Sequence, residues 1–129
     1  MTGWIWIKDE VALAIHDRQL AEHGGPTGVR DPGAFESAMA RPKNLATYGD
    51  PEGAALAAAY AFGIARNHAF VDGKKRTAWI IAALFLDANG VGFEFDPADA
   101  IAIVLALAAG DLTEDDLADW FRERIRPVG

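Results

Sequence analysis

Three Asp-Pro doublets punctuate this chain, at Asp31-Pro32, Asp50-Pro51 and Asp96-Pro97. Each pairs a side-chain acceptor for the free N–H groups of a helix start with a residue that has no N–H to leave unpaired and a φ already set for the helix. Apolar residues at helical spacing follow, predicting helices over Pro32–Ala40, Pro51–Arg66 and Pro97–Ala109. Val11, Ile15 and Leu20 predict a first helix over Lys8–Glu22, ended by His23-Gly24-Gly25-Pro26. Thr113 with Asp116 resembles a capping box and predicts a last helix to Arg124. The stretch Gly73–Ala88, ending at Asn89-Gly90, is apolar on most sides through Trp79, Ile80, Ala83, Leu84 and Leu86, as a buried central helix requires. Only Trp4–Ile7 and Val91–Phe93 read as short extended pieces. The expectation is an all-α fold of about six helices in a single compact domain over residues 1–129.

Composition narrows the function. There is no cysteine among the 129 residues, which excludes a disulfide-stapled scaffold and any cysteine-ligated zinc site. Twelve basic against nineteen acidic side chains give a net charge of −7, the wrong sign for a general nucleic-acid binder. The charge is unevenly placed. Lys74, Lys75 and Arg76 stand together, and from Thr77 to Phe121 there are nine acidic residues and no Lys or Arg. The first ten residues lack the pattern of a signal peptide, and the longest apolar run, Ala100–Ala109, is half of a membrane span. A cytoplasmic location is expected.

The segment from Asn67 to Thr77 concentrates the chemistry. It links one predicted helix to the start of the buried one. A helix start presents unpaired N–H groups and the positive end of the macrodipole, and Gly73 lets a ligand approach the backbone closely. Lys74, Lys75 and Arg76 add positive side chains on the first turn, where they oppose the dipole by roughly 0.3–1 kcal/mol each unless an anion compensates them. Together these make a phosphate site. Asp72 is placed either to cap this helix or to ligate Mg²⁺ beside the phosphates. His68, four residues earlier, is either a structural loop residue or a general base. His16 lies within the first helix and reads as a buried hydrogen-bonding residue. No Walker loop, Rossmann fingerprint or H-E-x-x-H pattern is present.

His68-Ala69-Phe70-Val71-Asp72-Gly73-Lys74-Lys75-Arg76-Thr77-Ala78 resembles the signature of the Fic/Doc family, closest to its death-on-curing branch. His16-Asp17, His23-Gly24-Gly25, Gly28-Val29-Arg30-Asp31, Glu36-Ser37-Ala38 and Tyr60–Asn67 extend the resemblance over most of the chain in order. The resemblance implies a six-helix fold in which the buried helix follows the motif loop. It implies that His68 deprotonates an attacking hydroxyl, that Phe70 anchors the loop in the core, and that Asp72 holds Mg²⁺ between phosphates. By the same resemblance Gly73 and the following amides cradle phosphate, and Lys75 and Arg76 neutralise the transferred or leaving groups. The implied cofactors are ATP and Mg²⁺. The implied partners are an antitoxin whose C-terminal segment docks in a groove, and a protein substrate, elongation factor Tu, phosphorylated on a threonine so that translation stops.

Two alternatives belong to the same resemblance. The adenylylating branch carries a second glycine where Lys75 stands and a second arginine where Trp79 stands, so both changes favour the phosphate-transferring branch. Lys74 occupies a position where the family has asparagine, so reduced or altered activity is expected, down to a degenerate domain that only binds its antitoxin. The stretch Lys43–Asp50 reads as a loop resembling the flap that positions target peptides, and Arg66 and Asn67 receive no chemistry. Trp4, Trp6, Trp120 and Phe121 read as core rather than as an exposed strip.

Overall fold

The computed structural model describes residues 3–24, 31–66 and 74–126. Among them six helices follow in order: α1 (Asp9–His23), α2 (Pro32–Tyr48), α3 (Gly53–Arg66), α4 (Lys74–Ala88), α5 (Pro97–Ala109) and α6 (Glu114–Arg124). Strand β1 (Gly92–Phe93) pairs antiparallel with β2 (Ile125–Arg126), Gly92 opposite Arg126 and Phe93 opposite Ile125. The fold is all-α, as the periodicity predicts.

Helix α3 is the centre. It packs against α2, α4 and α6, and buries Leu56, Tyr60 and Ile64 together with six alanines. Those alanines let the surrounding helices approach closely without interlocking large side chains. Helix α4 lies beside it, with Ala78, Ile81, Ala82, Phe85 and Leu86 buried, and carries α1 on its other side. Phe85 gathers the aromatic residues of the N-terminal segment: its ring centroid lies 5.7 Å from that of Trp4, 5.8 Å from Trp6 and 5.2 Å from Tyr60. Phe121 is fully buried, and Trp120 packs edge-on against it at 5.2 Å. The terminal aromatics therefore belong to the core and its margin, as expected.

The start signals hold at α2, α5 and α6. The Asp31 carboxylate accepts from Ala34 N–H at 3.1 Å, and Asp96 from Ala98 N–H at 3.0 Å. At α6 the capping box is complete: Asp116 N–H donates to Thr113 Oγ1 at 3.0 Å, and Thr113 N–H to Asp116 Oδ2 at 3.1 Å. Asp50-Pro51 behaves differently. Helix α3 begins at Gly53, with Glu52 O accepting from Leu56 N–H at 3.2 Å, so the doublet lies in the turn before the helix. Gly53 lies against the core, where a Cβ would stand in ordinary contact with Leu86 at 3.5 Å and Trp4 at 3.6 Å.

Two further expectations need correcting. Lys43–Tyr48 is helical, because α2 runs through Pro42 instead of stopping before it. Proline removes a helix hydrogen bond to the residue four back, here Ala38. Ala38 is buried against Gly63 of α3, whose missing Cβ would stand 3.6 Å from the Ala38 carbonyl oxygen. Ala38, Met39 and Pro42 are all buried, so this stretch of α2 packs into the core where its own ladder is interrupted. Trp4–Ile7 is not a strand. Its backbone is fastened by side chains: Asn89 accepts from Ile5 N–H at 2.7 Å and donates to Ile5 O at 2.9 Å, and the Tyr60 hydroxyl accepts from Ile7 N–H at 3.1 Å. Among the described residues no helix is long and apolar enough to cross a membrane.

Candidate functional site

The end of α3 and the head of α4 frame the segment that sequence analysis singled out. His68, Asp72 and Gly73 lie outside the described residues. Lys74 and Lys75 form the first residues of α4, their side chains also outside the described set, and Arg76 follows with its side chain exposed. That first turn contains no acidic residue. A fifteen-residue helix thus starts with three consecutive cations, and this donor set fits a polyanion such as a nucleotide's phosphates.

Behind the cations the helix head is fixed from within. Thr77 is fully buried, and its Oγ1 lies 3.3 Å from Nδ1 of the buried His16 on α1. His16 is therefore a buried hydrogen-bonding residue, as expected. Trp79, two residues on, is half-buried and packs on β1 and the residues after it, with ring centroids 6.4 Å from Phe93 and 4.9 Å from Phe95.

On the other side of the frame stands Arg66, the last residue of α3. Its guanidinium lies 5.6 Å above the Phe62 ring and against Gly110, the left-handed C-cap of α5 at φ +80°. A Cβ on Gly110 would stand 2.8 Å from Arg66 Nη1, so the glycine makes room for the arginine. Phe62, Gly63 and Arg66 form one wall of an open groove of about 1050 Å³. The other wall is one face of α2, from Ala34 through Arg41 and Leu45 to Tyr48. Helix α2 is about 25 Å long at 1.5 Å per residue, so the groove can hold several residues of a peptide. Arg41 is held by Glu114 at 2.6 Å, and this hydrogen bond raises its pKa further above the ordinary arginine value. Tyr48 stands out into solvent at 89% exposure.

Sequence reading missed this groove because it treated Lys43–Asp50 as a loop. The signal was there: positions 34, 38, 41, 45 and 48 recur every three or four residues, one face of a continuous helix. The residues read as a flap do line the groove, through Asn44, Leu45, Tyr48, Gly49 and Asp50.

Comparison with known proteins matches residues 6–86 to the model of the Fic/DOC family. The chain belongs to the Fic/DOC family. The matched stretch runs from the N-terminal segment into the last turn of α4 and contains the whole motif from His68 to Arg76. The chain is 33% identical over 117 residues to "Protein kinase doc" of Escherichia phage P1, covering 90% of this chain and 92% of that protein. It is 42% identical over 100 residues to "Toxin Doc" of Mycolicibacterium smegmatis, covering 74% and 76% respectively. The Fic/DOC assignment agrees with the all-α architecture and with the place of the cationic turn at the head of α4.

Proposed function

We propose that this Fic/DOC protein is a Doc-type toxin that transfers the γ-phosphate of ATP to a threonine hydroxyl of a protein. Elongation factor Tu is the expected substrate, with inhibition of translation the result. The observation that carries the reading is the acid-free first turn of α4, where Lys74, Lys75 and Arg76 stand at the helix N-terminus. The names of two relatives, a protein kinase and a toxin, support it.

In this reading the threonine segment of the substrate lies in the groove and its hydroxyl reaches His68. His68 accepts the hydroxyl proton. The threonine oxygen forms its bond to the γ-phosphorus as the bond from that phosphorus to the β–γ bridging oxygen breaks, and ADP leaves. Gly73 and the first amides of α4 bind phosphate oxygens, while Lys74, Lys75 and Arg76 offset their charge. Asp72 would hold Mg²⁺, which supplies charge neutralisation between the phosphates when bound. Positioning and electrostatics dominate such a transfer. The half-buried, Phe-packed Trp79 supports the kinase over the adenylyltransferase, since this side chain is committed to packing. An antitoxin is the proposed partner, and the cytoplasm the proposed location.

Labelled ATP tests the reaction. Transfer of label from the γ-position to elongation factor Tu, lost in His68→Ala, is expected; transfer from the α-position would overturn the kinase reading. Arg76→Ala should weaken ATP binding by the loss of a charge-assisted pair, about 1.5–3 kcal/mol, measured by calorimetry. Unchanged affinity would remove Arg76 from the site.

A further inference from the structure

Apart from Tyr60, two polar side chains are buried among the described residues, His16 and Thr77, and they meet each other. His16 stands in the middle of the buried stripe of α1, between Ala12 and Leu20 at spacings of four. Thr77 is the fourth residue of α4, directly after Lys74, Lys75 and Arg76. Its Oγ1 lies 3.3 Å from His16 Nδ1. The surroundings of both positions suit apolar side chains. Replacing both partners of a buried hydrogen bond by apolar groups of like shape can be nearly neutral or stabilising, and threonine is a weak helix former. Stability alone therefore gives little reason for the pair. What a hydrogen bond adds to apolar packing is direction.

Direction is what the head of α4 otherwise lacks. Its far half is locked by large side chains: Ile81, Phe85 and Leu86 are fully buried, and Phe85 packs on Trp4, Trp6 and Tyr60. Before Ile81 the buried side chains among the described residues of α4 are Thr77 and Ala78. The neighbouring α3 buries six alanines, which offer low ridges and so hold an interhelical angle weakly. Thr77 stands about 12 Å from Phe85 along the helix axis, at 1.5 Å per residue. A tilt of about 5° about Phe85 would carry the cationic turn about 1 Å, and a misplacement of that size can slow a reaction about 100-fold.

We propose that His16 and Thr77 are positioning residues, whose bond sets the angle at which α4 presents Lys74–Arg76 and its first amides to the transferred phosphate. The assignment rests on the kinase reading. Both side chains are buried and act through the helix rather than on the substrate.

The test follows γ-phosphate transfer to elongation factor Tu by the full chain at saturating and limiting ATP. Thr77→Val keeps the shape of the side chain and removes the hydroxyl. Its kcat should fall about 10- to 100-fold while KM for ATP changes less than about threefold, because long cationic side chains still reach phosphates in the ground state but lose their alignment in the transition state. Thr77→Ser returns the hydroxyl and should bring kcat within about threefold of wild type, whatever its Tm. His16→Leu should lower kcat by a similar factor, and the double variant with Thr77→Val by no more than either alone, since the same bond is lost in all three. Circular dichroism checks folding at the assay temperature, and Thr77→Ala, a better helix former without the hydroxyl, repeats the test should Thr77→Val not fold. Wild-type kcat in a folded variant that lacks the hydroxyl would overturn the proposal. So would a loss that Thr77→Ser does not recover, or losses that multiply in the double variant. In those cases the kinase reading stands and the positioning assignment alone is lost. A wild-type chain that transfers no γ-phosphate overturns the kinase reading and this assignment with it.

Discussion

Tyr60→Phe isolates a single oxygen at the centre of the fold. Tyr60 is fully buried on α3, and its hydroxyl accepts from Ile7 N–H at 3.1 Å. Phenylalanine keeps the ring and its packing on Phe85 but leaves the N–H of the buried Ile7 without that acceptor. An unsatisfied buried donor costs about 1–3 kcal/mol. At about 4 °C per kcal/mol for a domain of this size, Tm should fall by about 4–12 °C. The pH dependence supplies a second measurement. Burial raises the Tyr60 pKa above the usual tyrosine value; the Ile7 N–H opposes this and the Asp9 charge adds to it. Above about pH 10 the unfolded chain loses this proton and the folded chain keeps it, so the native state binds more protons. Stability contributed by Tyr60 is therefore fully present below pH 10 and declines as pH rises toward the folded pKa, by at most about 1.4 kcal/mol per pH unit. Thermal and urea melts followed by far-UV circular dichroism should show the wild-type advantage over Tyr60→Phe shrinking above about pH 10. Equal Tm values at neutral pH, or a gap that stays constant through the alkaline range, would refute the reasoning.

Lys74→Asn should restore the family's neutral side chain at the head of α4 and strengthen growth arrest and phosphorylation of elongation factor Tu on inducible expression. Growth arrest no stronger than with Lys74 would show that the lysine is not an impairment. Gly63→Ala places a methyl group in ordinary contact with Ala38 at 3.6 Å, so it should raise stability by up to about 1 kcal/mol through helix propensity while narrowing the groove. Chemical denaturation beside a phosphotransfer assay should show the two effects with opposite signs. Gly110→Ala forces a left-handed residue that costs about 1–2 kcal/mol and displaces Arg66. Its Tm should drop, and an unchanged environment of the Arg66 guanidinium by NMR would contradict the contact.

What the sequence made legible was local. Asp31, Asp96 and the Thr113–Asp116 pair cap helices because each acts within three residues of itself. The middle of α2 was hidden because the usual effect of proline is to end a helix, whereas here α2 continues through a buried Pro42 that packs into a core assembled from distant parts of the chain. Strand β2 is two residues long and exists only through pairing with β1, which gives it no pattern of its own. The motif was legible as an ordered set of residues, and the cationic turn stands where expected at the head of α4. The groove was not, since it arises where two helices meet.

Asn89 carries a consequence for the ageing of the protein. Its amide nitrogen donates to Ile5 O at 2.9 Å and Phe85 O at 2.8 Å, and its oxygen accepts from Ile5 N–H. Glycine follows, and an Asn-Gly step is prone to deamidation because the next backbone nitrogen attacks the amide unhindered. Here the Gly90 N–H is occupied by Asp87 O at 3.0 Å, so the reaction waits for the last turn of α4 to open. Once it occurs, a carboxylate oxygen faces two carbonyls and the strap from Ile5 is repelled. Stored protein should then show a shifted tryptophan emission as Trp4 and Trp6 leave Phe85, in step with the acidic form appearing on an ion-exchange column.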